Sequence, residues 1–336
     1  MQSSTDPGAG DGDHAPLLLG LALDALAAPA SSSGGERDAY LALARKAEAA
    51  GFDLVLAGYA AAPAERLDAL SLAAAMTTAT RTLGLCAVVE TAGWAPYNLA
   101  RAFASFDLLA GGRTGWFAVP GQDEPADPGF ERFAEHLEVV FALFDSWDDD
   151  ALVFDKAAAV FADRDRTRRI RHHGRFFTVD GPLNAPRPPQ GRPVILQHVG
   201  DGAPKAALAD VAVSRAATPE AAAAARAGLN GAPMIVDLAV SLAGAPLETD
   251  RLAWRGPAAG LVALIEAWAR SGAADGFNIL PASPAADLEV LAAEVLPALK
   301  ARGLMRSAPA SGDLRTRLGL PRPANRYAPV GEGVPA

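Results

Sequence analysis

Short apolar runs alternate with helix-length, Ala-rich amphipathic stretches from one end of the chain to the other, and this alternation constrains the fold more than any single motif. Parallel strands joined by crossover helices give this pattern. The runs are Leu17–Leu23, Asp53–Ala57, Leu83–Glu90, Thr114–Val119, Pro193–Gln197, Asp210–Ser214, Met234–Leu242 and Gly276–Leu280. Candidate helices lie at Glu36–Ala50, Ala64–Thr80, Pro96–Ala110, Phe130–Trp147, Ala203–Ala209, Pro219–Ala227, Pro257–Ser271 and Ala286–Arg302. Eight such units predict a closed (β/α)8 barrel, because an open doubly wound sheet usually stops earlier.

Two interruptions break the rhythm. Asp148–Arg192 turns acidic, then basic, then Pro-rich, and reads as a surface excursion between strands four and five, with Phe176–Val179 as a short extra strand. Pro120–Gly129 (PGQDEPADPG) follows the fourth strand and so falls at the C-terminal face, where barrel active sites are built. The expected organisation is a disordered Gly/Ser/Asp tail over 1–14, the barrel over 15–305, and an extension over 306–336 packed on it.

Half of the 336 residues are hydrophobic, enough for one large core. The net charge is −9 and the basic residues are dispersed, which argues against nucleic acid as a partner. The single cysteine, Cys86, sits in an apolar run, forms no internal disulfide and fits a reducing compartment. Leu17–Ala30 superficially resembles an export signal, but Asp6, Asp11 and Asp13 precede it without a basic residue and Asp24 interrupts it. It reads as the first strand. No segment is apolar for long enough to span a bilayer, and the expected location is the cytoplasm.

No independent motif announces chemistry: the chain lacks a Gly-rich phosphate loop between strand and helix, Cys/His metal spacing and a nucleophile elbow. Of the five histidines, His172 and His173 precede Gly174 and read as turn residues. His198 directly follows the fifth strand, at the barrel mouth, and is a candidate either for catalysis or for a simple strand-end hydrogen bond.

Several blocks carry a family resemblance. Phe144–Gln197 closely resembles a segment of the nitrilotriacetate, pristinamycin and dibenzothiophene-sulfone monooxygenase group of the luciferase-like superfamily. Pro96–Trp116, Asp275–Asn278 (DGFN), Leu318–Ala328 (LGLPRPANRYA) and the weaker Ala47–Val55 agree with it in the same order. The resemblance implies a (β/α)8 barrel that uses reduced FMN, supplied by a separate NAD(P)H-dependent flavin reductase, and O2 to oxidise a small organic substrate. It also implies homodimers or homotetramers. The protein's part in such chemistry is to position flavin and substrate and keep water out.

Carried over by position, the resemblance places Gly58, Glu90, Thr91, Trp116, Phe117 and Phe133 around the flavin, and Gly200, Asp201 and Lys205 near its phosphate. Glu90 joins His198 as a candidate acid or base, with a structural ion pair to Arg101 or Arg113 as the other reading. Asp201 is read either as a helix cap or as part of an anion site with Lys205. The chain departs from the family after strands two, three, four and five. It is also shorter in the lid regions, so a flavin-free binding or partner subunit and a deazaflavin-dependent oxidoreductase stand as alternatives.

Overall fold

The computed structural model describes residues 15–23, 35–59, 67–121, 130–200, 208–247, 249–306 and 311–328. Eight parallel strands close into a barrel: β1 (Leu18–Leu23), β2 (Leu54–Ala57), β3 (Gly84–Glu90), β4 (Thr114–Val119), β9 (Val194–Val199), β10 (Val211–Ser214), β11 (Met234–Ser241) and β13 (Gly276–Pro281). β10 pairs with β11 through Ala212 and Met234, and this pairing shuts the cylinder. The strands read as continuous apolar runs because both faces are buried. Alternate residues serve different layers. On β4, Phe117 points into the barrel with Leu54, Leu56, Val194 and Leu196, whereas Trp116 points outward and stacks on Phe103 of the helix layer at 5.2 Å.

The helices α1 (Gly35–Ala50), α2 (Ala69–Met76), α3 (Pro96–Ala110), α4 (Glu131–Phe144), α5 (Pro219–Arg226), α6 (Ala258–Ser271), α7 (Pro284–Val290) and α8 (Leu296–Ala301) fall in the segments that the amphipathic pattern marks. α2 is shorter than expected: Asp68 caps it by accepting a hydrogen bond from the Ser71 amide at 2.9 Å. The last helical stretch starts two residues early and is interrupted by a π-turn at Leu291–Val295. The expected helix over 203–209 lies largely outside the described residues, as do the 1–14 tail and most of the Pro120–Gly129 loop. No described helix is long and apolar enough to cross a membrane.

The excursion between β4 and β9 holds two small antiparallel pairs, β5 (Leu152–Asp155) with β6 (Val160–Ala162), and β7 (His172–His173) with β8 (Thr178–Val179). This corrects two expectations. The extra strand is shorter than Phe176–Val179, and His172 and His173 are strand residues rather than turn residues. The reason is a long-range partner: Glu135 of α4 accepts hydrogen bonds from the Phe176 and Phe177 amides and lies 3.0 Å from His172 Nε2, which sets the pairing.

At the N-terminal end of the barrel, α9 (Leu314–Arg317) starts at Asp313, whose carboxylate caps the Thr316 amide at 2.7 Å. Leu314 joins the inner apolar cluster and the buried Arg315 donates to both oxygens of Asp210, at 2.9 and 2.5 Å. The ninth strand of the sheet, β12 (Leu252–Arg255), was not expected. It pairs with the C-terminal half of β11, beyond the point where β10 ends.

Candidate functional site

The site lies at the C-terminal ends of the strands, where the inward side chains of the top layer are no longer all apolar. Gly58 ends β2 with a φ of +76°, and a Cβ there would stand 2.8 Å from the Ala69 Cβ, so the turn needs glycine. This turn is followed by Tyr59, whose ring sits against Phe117 (5.1 Å between centroids) with its hydroxyl inside the barrel. Tyr59 Oη donates to Asp237, 2.9 Å from Oδ1 and 2.8 Å from Oδ2. Asp237, fully buried on β11, also accepts from Asn278 Nδ2 at 2.8 Å and Arg251 Nη1 at 2.9 Å. Three donors around one carboxylate are what a buried anion requires.

The electrostatics follow from burial. Desolvation pushes the Asp237 pKa up, while Asn278, Tyr59 and Arg251 pull it back. The Tyr59 phenol is pushed well above its ordinary value by burial and by the Asp237 carboxylate, so it remains a donor. His198 is lowered to about 4, first by burial and then by Arg215, and is a neutral imidazole at pH 7. Arg215 Nη2 lies 3.2 Å from His198 Nε2. Because a guanidinium only donates, Nε2 is the acceptor and the ring proton belongs on Nδ1. The His198 ring is 4.8 Å from Phe117, and its Nε2 is 3.5 Å from the Tyr59 hydroxyl.

A cleft of about 770 Å³ opens off this mouth between β9, β10 and α5. It exists because β10 stops at Ser214 and because α5 turns only Ala221, Ala224 and Ala225 toward it. Gly200 sits on its edge with φ +117° and nothing among the described residues within 4 Å of where a Cβ would be, so they leave the backbone there open to a ligand.

The structure brings two of the sequence candidates, Phe117 and His198, into direct contact. His198 belongs to β9, which runs two residues further than expected, rather than following it. Trp116 is buried between barrel and helices, where its Nε1 donates to the Val89 carbonyl at 3.2 Å. Phe133 is likewise buried in the helix layer on α4. Thr91 is buried beside β4, its amide bonded to the Val119 carbonyl at 2.9 Å. Glu90 is exposed at the end of β3, with no cation within 4 Å among the described residues. The guanidinium of Arg113 is engaged instead by the Ala110 and Leu83 carbonyls and the Thr80 hydroxyl. Asp201 and Lys205 lie outside the described residues. Among the described residues no group of three or more His, Cys, Asp or Glu is placed to hold a metal ion.

Sequence reasoning missed Asp237, Asn278, Arg251 and Arg215 as site residues. A signal existed for the first two, since Asp237 is the lone charged residue of β11 and Asn278 the lone polar residue of β13.

Comparison with known proteins supplies the context. The family model described as "Luciferase-like monooxygenase" matches residues 19–276. One of the pristinamycin IIA synthase components of Streptomyces pristinaespiralis is 38% identical over 286 residues, covering 84% of this chain and 89% of the relative. Dibenzothiophene-sulfone monooxygenase of Rhodococcus erythropolis is 43% identical over 143 residues, 39% of this chain and 32% of the relative. The solved structure of EDTA monooxygenase from Chelativorans sp. BNC1 superposes with a TM-score of 0.76 at 24% identity, over 92% of this chain and 99% of that one, and shares its fold.

Proposed function

Because this chain belongs to the luciferase-like monooxygenase family, we propose that it oxidises a small organic molecule using O2 and reduced FMN delivered by a separate flavin reductase. The observation that carries the reading is the cleft itself: about 770 Å³ at the C-terminal face of a parallel barrel, within the range of small-molecule sites. The residues present fit a flavin. Val119, Val199 and the alanines of α5 offer apolar walls and the exposed backbone at Gly200 leaves room for a close approach, while in the sequence Lys205 follows β9. When bound, the flavin supplies the oxygen chemistry.

The chain's own residues prepare the environment. Val119, Val199 and the alanines of α5 line the cleft with apolar surface, which excludes water from the reacting centre. His198 stays neutral and its Nε2 accepts from Arg215, so it holds the guanidinium at the wall of the cleft. Tyr59, held to Asp237, stays protonated and ties β2 to β11 beneath the mouth.

The test is anaerobic titration of the purified protein with oxidised and with dithionite-reduced FMN, followed by oxygen uptake with a flavin reductase present. A dissociation constant for reduced FMN of about 1 μM or tighter is the expected result. No binding of either form overturns the monooxygenase reading and leaves a flavin-free binding protein.

A further inference from the structure

An acidic and a basic side chain at the barrel mouth, Glu90 and Arg215, each lack an ion-pair partner within 4 Å among the described residues. Asp237 and Arg251 neutralise each other at 2.9 Å. Arg215 stands one residue past the end of β10, exposed on the wall of the cleft, and no carboxylate lies within 4 Å of it among the described residues. Its one hydrogen-bond contact among them is with the neutral imidazole of His198, which occupies one of five guanidinium N–H groups and supplies no negative charge. Arg255 likewise meets no carboxylate within 4 Å among the described residues; what distinguishes Arg215 is its place on the wall of the cleft. It sits where the cleft meets the reaction centre, since the same His198 touches Tyr59 and Phe117.

The rest of the cleft is of a different character. Val119, Pro120 and Val199 form one side and Ala221, Ala224 and Ala225 the other, with the Ser214 side chain near the mouth. A ligand that satisfies both parts has an anionic head and an apolar body. Planar guanidinium groups bind carboxylates with two parallel hydrogen bonds, and four N–H groups of Arg215 remain for that purpose.

We infer that Arg215 anchors the carboxylate of an acidic substrate whose apolar body lies in the cleft between β10 and α5. This assignment rests on the monooxygenase reading and adds the substrate class to it: organic acids rather than neutral hydrocarbons. Arg215 then sets the position of the substrate relative to His198, because the same guanidinium holds both.

The test uses hexanoate and hexan-1-ol, which share a body and differ in the head. Their binding to the full chain, and to its Arg215→Met and Arg215→Lys variants, is measured by calorimetry. FMN and riboflavin are titrated into the same three proteins. Arg215 is exposed, so both variants keep the wild-type circular dichroism and melting temperature. Expected are a preference of the wild type for hexanoate, a loss of about tenfold or more in Arg215→Met, partial retention in Arg215→Lys, and unchanged FMN affinity. Equal binding of acid and alcohol, or insensitivity of hexanoate to Arg215→Met, overturns the assignment. A loss of FMN but not riboflavin affinity in Arg215→Met also overturns it, because the oxyanion at Arg215 is then the flavin phosphate. Absence of FMN binding in all three proteins, with discrimination for hexanoate intact, overturns the monooxygenase reading and leaves the acid site standing.

Discussion

Tyr59 and Asp237, 178 positions apart in the chain, are joined inside the barrel by a hydrogen bond of 2.8 Å from the phenol to the carboxylate. The contact ties the end of β2 to the middle of β11 across the mouth. Removing the hydroxyl with Tyr59→Phe leaves Asp237 with two of its three side-chain donors and costs about 1–3 kcal/mol. Asp237→Asn costs more, about 3 kcal/mol or above, because it also leaves Arg251 without its counter-charge. Urea denaturation of the two variants checks the ranking; a milder effect for Asp237→Asn would mean that the carboxylate is not the hub.

Acid lability is expected from two histidines. His136, buried on α4 with Nε2 3.0 Å from the Trp94 carbonyl, has its pKa lowered to about 4 by burial, and His198 is lowered to about 4 as well. Both are near 6.5 when unfolded, so the unfolded chain binds more protons between those values. Their contribution is therefore complete above about pH 6.5 and is lost as the pH falls through about 4. Each adds a slope of at most about 1.4 kcal/mol per pH unit in that window. His136→Gln should give a shallower pH dependence of unfolding, since Gln can still donate to Trp94 without taking up a proton.

Packing inside the barrel depends on one close approach. A Cβ at Gly115 of β4 would stand 2.3 Å from Cys86 Sγ on the neighbouring strand. Gly115→Ala is therefore predicted to destabilise by about 1–3 kcal/mol through overpacking. Removing the sulfur in Cys86→Ala makes room for the new methyl group, so the double variant should lose less than the sum of the two single losses. Additive losses in thermal unfolding would show that the clash is relieved elsewhere.

The segment around α9 acts as a structural part of the barrel floor. Arg315 is 2% exposed and bonds Asp210, whose Oδ2 also accepts from the Ile195 amide at 2.9 Å at the start of β9. Arg315→Met leaves Asp210 with the more distant Arg192, at 3.7 Å, as its one basic partner among the described residues and should cost about 3 kcal/mol, read as a lowered urea midpoint. A neutral result would mean that the C-terminal segment is dispensable to the barrel.

Much of this was legible in the residues. All eight barrel strands fall within about two residues of where apolar runs predict them, because strands buried on both faces must be apolar throughout. Helix limits were less secure: in an Ala-rich chain the end of α2 at Met76 is set by packing and by capping rather than by composition. β12 was missed because Leu252–Arg255 is too short to read alone and pairs only where β11 outlasts β10. Trp116 and Phe117 show how a single residue changes a role: both are aromatic and adjacent, but the period of two sends one to the helices and the other into the barrel.

Local periodicity and strand ends account for the barrel, the strand order, the position of the mouth and the presence of His198 there, whereas Phe117 was placed near it by the family resemblance. Which charges meet is settled by the folded barrel alone. Closure of the cylinder brings Tyr59, Asp237, Asn278 and Arg251 into one network from β2, β11, β13 and the segment before β12, and it leaves Arg215 without a partner carboxylate among the described residues. Pairings of that kind depend on distances across the barrel, between residues widely separated in the chain, and no local pattern along the sequence encodes them.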